Sequence, residues 1–113
     1  MYNRMKEYEI FKALSEPVRL RIVSLLSRGE LCVCDLKETL GLPQSTVSRH
    51  MARLKLAGLV QDRRAGKWIH YRLPPDQNAL LKSLAEFFGT LNQKEPFKTD
   101  YRRLQEHLKT KRF

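Results

Sequence analysis

The sequence predicts a mainly α-helical domain with one β-hairpin, arranged as a winged helix-turn-helix. Apolar residues recur at three- and four-residue spacing through the N-terminal half, and a short turn containing Gly41 separates two of the predicted helices. After these helices, two segments rich in β-branched and aromatic residues flank Ala65-Gly66, a pattern typical of a hairpin. Together these features indicate the fold class.

The composition favours a folded domain with a polyanionic partner. The chain has 113 residues, of which 42% are hydrophobic and 30% charged, as in globular proteins. It carries 22 Lys and Arg against 12 Asp and Glu, a net charge of +10, which favours nucleic acid first and an anionic membrane surface second. We find no apolar run that would span a membrane and no secretory signal, so we expect a cytoplasmic protein with reduced thiols and no membrane partner.

The first two helices are predicted over residues 3–14 and 16–27. The first helix has one apolar stripe, and its opposite side is polar. The second is apolar most of the way round and should be the most buried element. We expect Ser15 to cap its start, with Pro17 in its first turn.

The predicted helix-turn-helix consists of a short helix over residues 32–40, a turn at Gly41-Leu42-Pro43 and a second helix over residues 44–57. Val47, Met51 and Leu54 face inward. The outer face of this helix is polar, which alone would indicate only a solvent-exposed helix. The turn before the helix and the net positive charge of the chain favour DNA binding instead. Gln can read adenine and Arg can read guanine. The candidate DNA-binding residues of this helix are Gln44, Ser45, Thr46, Ser48, Arg49, His50 and Arg53.

The hairpin is predicted from strands over residues 59–64 and 67–72, joined at Ala65-Gly66. A basic hairpin directly after a recognition helix is a wing. We expect its cations to hold phosphates or to enter the minor groove, which positions a protein without specifying sequence. The candidate residues are Arg63, Arg64 and Lys67.

A last major helix is predicted over residues 77–91, with a wide apolar face. We expect this face and the first helix to form a homodimer seam; the alternative is that the face completes the core of one subunit. The domain organisation is then a winged helix-turn-helix DNA-binding and dimerisation domain over residues 1–92. Residues 93–113 form a basic C-terminal extension in which Tyr101, Leu104 and Leu108 support a helix.

Residues 30–36, ELCVCDL, contain both cysteines of the chain. Cys32 occupies the place of Ser or Thr in a capping box, with Asp35 three positions on. A thiol caps weakly, but a helix N-terminus favours its thiolate, which binds soft metals and metalloids. Residues two apart on a helix point about 200° apart, so we expect a ligand shared by Cys32 and Cys34 to unwind or bend the first turn. The alternative is that both cysteines are buried apolar side chains. A Cys32–Cys34 disulfide would close a very small, strained ring, so we do not expect it as a structural element.

This order of elements resembles the arsenical-resistance repressor (ArsR/SmtB) family over about residues 8–91. The resemblance implies homodimeric repressors that leave double-stranded operator DNA when a metal or metalloid binds. It implies Cys32 and Cys34 as metal-binding residues, As(III) or Sb(III) as the inducer, and no permanently bound cofactor. The supporting segments are FKALSEPVRL at 11–20, ELCVCDL at 30–36, QSTVSRH at 44–50 and GKWIHYRL at 66–73.

The sequence departs from the family at two places. Lys37 stands where three-thiolate arsenical sensors have a third cysteine, so the third ligand is water, hydroxide, a small thiol or absent. The Asp and His pairs of a second metal site have no match on the last long helix.

Three alternatives to arsenic sensing remain. The same thiols suit Cd(II), Pb(II) or oxidants. A thiol enzyme acting on arsenic would need a C-x5-R loop, but Glu38 and Leu40 stand where the arginine belongs, so we expect no enzyme activity. Binding to RNA or to a membrane surface is a weaker alternative, because the predicted helix-turn-helix and wing argue against it.

Overall fold

The computed structural model describes residues 5–75 and 78–111. The predicted fold class is confirmed, since the chain is mainly helical with a small antiparallel sheet; the predicted helix starts at residues 3 and 77 lie outside the described residues. None of the helices in the described part is long and apolar enough to cross a membrane. In chain order the elements are α1 (Lys6–Leu14), α2 (Pro17–Leu26), β1 (Leu31–Cys32), α3 (Val33–Leu40), α4 (Gln44–Leu56), β2 (Gln61–Ala65), β3 (Trp68–Arg72), α5 (Ala79–Thr90) and α6 (Phe97–Thr110), with a 3-10 turn at Leu91–Gln93.

The core is built around α2, as its apolar sequence predicts. Ile22 and Val23 are fully buried, and α4 contributes the predicted inward residues Val47, Met51 and Leu54. The apolar face of α5 divides into two parts. One part, including Phe88, completes the core of the subunit, while Phe87 is 51% exposed. The sequence predicted a single dimer face on this helix, because helical spacing alone does not show which part of an apolar face meets the core.

The start of α2 is capped by Glu16 and not, as the sequence predicted, by Ser15. Glu16 has extended backbone, and its carboxylate accepts hydrogen bonds from the N–H groups of Val18 and Arg19. Ser15 instead ends α1, where its hydroxyl donates to the carbonyl of Lys12. A carboxylate at this position also interacts favourably with the helix dipole, which explains the exchange of roles.

The sheet has three antiparallel strands in the order β1-β3-β2. The wing is confirmed as the β2-β3 hairpin. However, Ala65 pairs with Trp68, so the turn is Gly66-Lys67 and not the predicted Ala65-Gly66. Gly66 has φ +65, a left-handed conformation that glycine adopts without strain. The sequence missed β1 because a two-residue strand is too short to show alternation.

The C-terminal helix α6 packs against α2 and α3. Asp100 of α6 is buried and forms an ion pair with Arg21 of α2. The Arg28 guanidinium lies 4.6 Å from the centre of the Tyr101 ring, a cation–π contact. Residues 97–110 are therefore tied to the helix-turn-helix, while the division of the chain after residue 92 remains a prediction.

Candidate cysteine site and nucleic-acid interface

Cys32 is the last residue of β1 and the N-cap of α3. Its Sγ accepts a hydrogen bond from the backbone N–H of Asp35 at 3.3 Å, and its own N–H donates to Asp35 Oδ2 at 3.0 Å. These two bonds form the predicted capping box, with sulfur in place of a hydroxyl. The first turn of α3 therefore depends on the side chain that we expect to bind a ligand.

The two sulfurs of Cys32 and Cys34 are joined in the structure by a disulfide of 2.08 Å, whereas the sequence predicted free thiols. The prediction that a shared ligand must unwind the first turn is also wrong in its premise. Cys32 lies outside the helix, with extended backbone (φ −83, ψ 164), so its side chain turns towards Cys34 while α3 stays intact. In the reduced state, both sulfurs can face one ligand from this backbone, with a Cα–Cα distance of 5.2 Å.

Asp35 brings a carboxylate to the sulfurs. The two Sγ atoms and an Asp35 oxygen all lie within 4.8 Å of one another. Asp35 is 3% exposed, and its Oδ1 lies 2.8 Å from His107 Nε2 and 2.7 Å from Lys111 Nζ. Burial raises the pKa of Asp35, but the hydrogen bonds from Lys111, the Cys32 N–H and His107 outweigh it and hold the pKa below 3.8. The carboxyl is therefore ionised at neutral pH.

Lys111 also contacts the cysteine pair directly, with its Nζ 3.6 Å from Cys32 Sγ. Sequence reasoning assigned neither His107 nor Lys111 to this site. Their four-residue spacing places both on one face of a helix, but nothing local indicates that this face docks on α3. Lys37 occupies the position of the missing third cysteine. Its ammonium forms a 3.3 Å ion pair with Glu38, so it adds no metal-binding atom to the site.

The outer face of α4 carries most of the candidate DNA-binding residues. Its N-terminal turn begins directly after Pro43, and the inward residues fix the opposite face in the core. Exposed on the outer side are Gln44, Ser45, Ser48, Arg49 and Arg53, with Thr46 half-buried. The face thus offers amide, hydroxyl and guanidinium groups together, which is the chemistry that base edges require.

His50 is the exception on this helix. Its side chain is buried, and its Nδ1 lies 3.2 Å from Arg19 Nη1, while Arg19 Nε donates to the carbonyl of Ala13. Burial lowers the pKa of His50, which favours the neutral ring that accepts from Arg19. His50 faces the interior in this structure because it shares the helix face of Met51 and Leu54. We therefore do not keep it among the candidate DNA contacts.

The wing presents the three predicted cations, Arg63, Arg64 and Lys67, all exposed. Arg63 is engaged by Glu30, with guanidinium–carboxylate distances of 2.8 and 2.7 Å. The ammonium of Lys67 lies 5.7 Å from the centre of the exposed Trp68 ring. Arg64 and Lys67 are therefore the better candidates for phosphate contacts.

Exposed apolar side chains lie on the two helices predicted to form the dimer. Met5, at the N-cap of α1, is 62% exposed, and Tyr8 and Phe11 on α1 are 50% and 53% exposed. Phe87 on α5 is exposed to a similar extent. These four exposed side chains are the apolar groups that the predicted dimer would bury.

The helix-turn-helix, the wing and the cysteine pair at the start of α3 define a winged helix-turn-helix regulator with a thiol site. Residues 16–62 match the family described as bacterial regulatory protein, arsR family. The chain is 44% identical over 82 residues to the arsenic resistance transcriptional regulator ArsR1 of Pseudomonas putida, across 68% of this chain and 64% of that protein. It is 54% identical over 68 residues to the arsenical resistance operon repressor of Escherichia coli, across 59% and 58%. Each match spans less than two thirds of the relative.

Solved structures agree with this assignment. HlyU from Vibrio cholerae has 31% sequence identity and a TM-score of 0.68, covering 79% of this chain and 94% of that one. The homodimeric winged helix-turn-helix DNA-binding domain of Mb0332 from Mycobacterium bovis has 27% identity and a TM-score of 0.65, covering 96% and 86%. The chain therefore belongs to the arsR family of bacterial regulatory proteins. This family comprises regulators, in agreement with the prediction that the chain is not an enzyme.

Proposed function

We propose that this protein is a cytoplasmic, DNA-binding transcriptional repressor that leaves its operator when As(III) or Sb(III) binds Cys32 and Cys34. The observation that carries this proposal is the convergence of two sulfurs at the N-cap of α3, the first helix of the helix-turn-helix. Two relatives of this chain are named as regulators of arsenic or arsenical resistance, which supports the same ligand class.

The DNA partner is assigned to the outer face of α4 together with the wing. Gln44, Arg49 and Arg53 have the donors and acceptors that read base edges in a major groove. Arg64 and Lys67 hold phosphates beside it. Because the net charge is +10, double-stranded operator DNA is the polyanion that this arrangement suits best.

The repressor acts as a homodimer through α1 and α5. Tyr8, Phe11 and Phe87 have exposed rings that a second copy would cover. Two-fold symmetry would also place two recognition helices on two half-sites of a palindromic operator. The Mb0332 domain, which has the same fold, is described as homodimeric.

Ligand binding requires the reduced cysteines. Arsenite enters as the neutral trihydroxide and exchanges two hydroxyls: As(OH)3 + 2 RSH gives (RS)2AsOH + 2 H2O. The two sulfurs come from Cys32 and Cys34, and the remaining position keeps hydroxide or another small ligand. Soft sulfur donors suit this chemistry, because thiolates prefer soft metals and metalloids.

Two connections lead from Cys32 to the DNA surface. Cys32 pairs with His70 of β3, so it belongs to the sheet of the wing. In the other direction, α3 continues through the turn at Gly41 into α4. A ligand that favours a displaced Cys32 therefore acts on both DNA-binding elements. A tenfold loss of operator affinity requires about 1.4 kcal/mol of differential binding.

Operator release by arsenite tests the proposal. Cys32→Ser and Cys34→Ser remove one sulfur each, and Ser at position 32 retains the helix cap. We expect both variants to bind operator DNA like the wild type and to remain bound in arsenite. Glu38→Gln, an exposed change on the same helix, is the control and should be released normally. Normal release of Cys34→Ser would exclude the cysteine pair as the sensor.

A second candidate function, sensing of oxidants, is favoured by the disulfide itself. Peroxide would form it by H2O2 + 2 RSH giving RSSR + 2 H2O. Separate titrations of the reduced, DNA-bound protein with arsenite, peroxide, Cd(II) and Pb(II) distinguish these inducers. Release by peroxide but not by arsenite would reverse the order of the two candidates.

A further inference from the structure

We infer that Lys111 and His107, at the end of α6, make the cysteine pair selective for a neutral trivalent metalloid over divalent cations. This inference rests on the proposed function and concerns the ligand class of the same site. Both side chains approach from the end of a helix far along the chain, and Lys111 is 79 positions from Cys32 in sequence. They act as positioning and specificity residues and are not themselves ligands.

The first argument concerns the donors that a metal would find. Divalent soft ions take more than two protein donors, and a carboxylate is a common additional one. Asp35 is the carboxylate that groups with the two sulfurs in the described part of the chain. Its Oδ2 is occupied by the Cys32 N–H, and its Oδ1 by His107 Nε2 and Lys111 Nζ. Coordination through Oδ1 would require the bonds from His107 and Lys111 to break, and Oδ2 is held in the helix cap by the Cys32 N–H, so Asp35 is a poor third ligand.

The second argument concerns charge. The Lys111 ammonium lies 3.6 Å from Cys32 Sγ and hence within a few ångströms of any ion bound there. Coulomb repulsion scales with the charge of the incoming ligand, so it opposes Cd(II) or Pb(II) but not neutral As(OH)3. The Lys111 side chain is 34% exposed, so solvent screens this repulsion in part.

The third argument is that the end of α6 is held in place. The buried Asp100 carboxylate binds Arg21 of α2 through two contacts of 2.8 Å, and Tyr101 stacks with Arg28. These contacts fix the first half of α6, and the contacts of His107 and Lys111 with Asp35 fix its last turn. The docked helix α6 therefore holds the Lys111 ammonium beside the cysteine pair.

The test compares ligand affinities of the reduced 113-residue chain without DNA. Cadmium and arsenite are titrated separately, and binding is followed by the ultraviolet charge-transfer absorbance of the metal–sulfur bonds. Lys111→Met removes the cation and one of the two hydrogen bonds to Asp35 Oδ1. We expect cadmium affinity to rise on the order of tenfold relative to arsenite affinity. Lys111→Arg keeps the charge and should keep the wild-type ratio.

Matched variants separate selectivity from a structural role. Lys109→Met removes the same charge from an exposed position of α6 and should leave the ratio unchanged. Adding Asp35→Asn to Lys111→Met should abolish the gain in cadmium affinity. His107→Ala should shift the ratio in the same direction as Lys111→Met. An equal change of both affinities, or no change in Lys111→Met and His107→Ala, would overturn the inference.

The inference and the proposed function fail in different ways. Arsenite binding without operator release would contradict the proposed function and leave the affinity ratio intact. Normal release with an unchanged ratio in Lys111→Met would contradict the inference alone.

Discussion

Arg21 on α2 and Asp100 on α6 form a two-point ion pair, with Nε to Oδ2 and Nη2 to Oδ1 both at 2.8 Å. The Asp100 side chain is 3% exposed and that of Arg21 is 24% exposed. This geometry is the bidentate one in which guanidinium and carboxylate interact most strongly. The pair thus joins the C-terminal helix to the central helix of the core.

Removal of Arg21 should destabilise the fold. Arg21→Ala leaves the Asp100 carboxylate buried without its partner, and breaking a buried pair costs several kcal/mol. Because Arg21 is partly exposed, we expect a loss of about 2 kcal/mol in the free energy of unfolding. Urea denaturation measures it. Glu38→Gln, which breaks the exposed pair with Lys37, should change stability by less than about 0.5 kcal/mol. Similar losses in the two variants would show that burial does not strengthen the Arg21 pair.

The cap of α3 predicts different effects of two changes at Cys32. Under reducing conditions, Cys32→Ser should retain or increase stability, because a hydroxyl accepts the Asp35 N–H better than a thiol does. Cys32→Ala removes the acceptor and should cost about 1 kcal/mol relative to Cys32→Ser. Thermal unfolding followed by circular dichroism gives the comparison. Equal stability of Cys32→Ala and the reduced wild type would mean that the sulfur does not stabilise the helix start.

His50 predicts a dependence of stability on pH near neutrality. Burial lowers the pKa of His50 from its ordinary 6.5, so the unfolded chain takes up the proton first as pH falls. The contribution of His50 is complete above pH 6.5 and is lost as pH falls from there through the lowered pKa of the folded state. His50→Asn should reduce this slope in chemical denaturation between pH 8 and 5. The wild type and the His50→Asn variant both retain His70 and His107. If stability depends on pH with the same slope in both proteins, His50 is not the source of that slope.

The proposed dimer predicts that charges on α1 and α5 weaken self-association. Phe11→Glu and Phe87→Glu each replace an exposed ring with a carboxylate that a second copy would have to bury. We expect the dimer dissociation constant to rise on the order of a hundredfold in each case. Analytical ultracentrifugation measures it. Trp68→Glu changes a similarly exposed ring on the wing and should leave the dimer intact; equal weakening by all three would indicate a general effect of the added charge.

Much of the fold could be predicted because its signals are local. The turn at Gly41, the hairpin around Gly66 and the capping box of Cys32 and Asp35 each lie within a few residues of sequence. Their outcome depends mainly on backbone preferences and side-chain hydrogen bonds of neighbours. The same reasoning found both sulfurs of the candidate site.

The remaining features depend on contacts between distant segments. His107 and Lys111 reach Asp35 only because α6 docks on α3, and β1 exists only because Leu31 and Cys32 pair with β3. The premise of the expected unwinding of α3, that both cysteines lie in a regular helix, was wrong because the cap position has extended backbone. The contact of His50 with Arg19 joins α4 to α2, and helical spacing within α4 does not reveal it.

The order of strands in the sheet has a consequence for protein engineering. Leu31 pairs with Tyr71, and Cys32 with His70, so the cysteine segment is hydrogen-bonded to the inner strand of the wing. A graft of residues 30–36 into another scaffold would carry the two cysteines without β3, the strand that holds their backbone in place. A transplantable biosensor module built from this chain must therefore include β3 as well, and recombination between relatives should conserve the two segments as one inherited block.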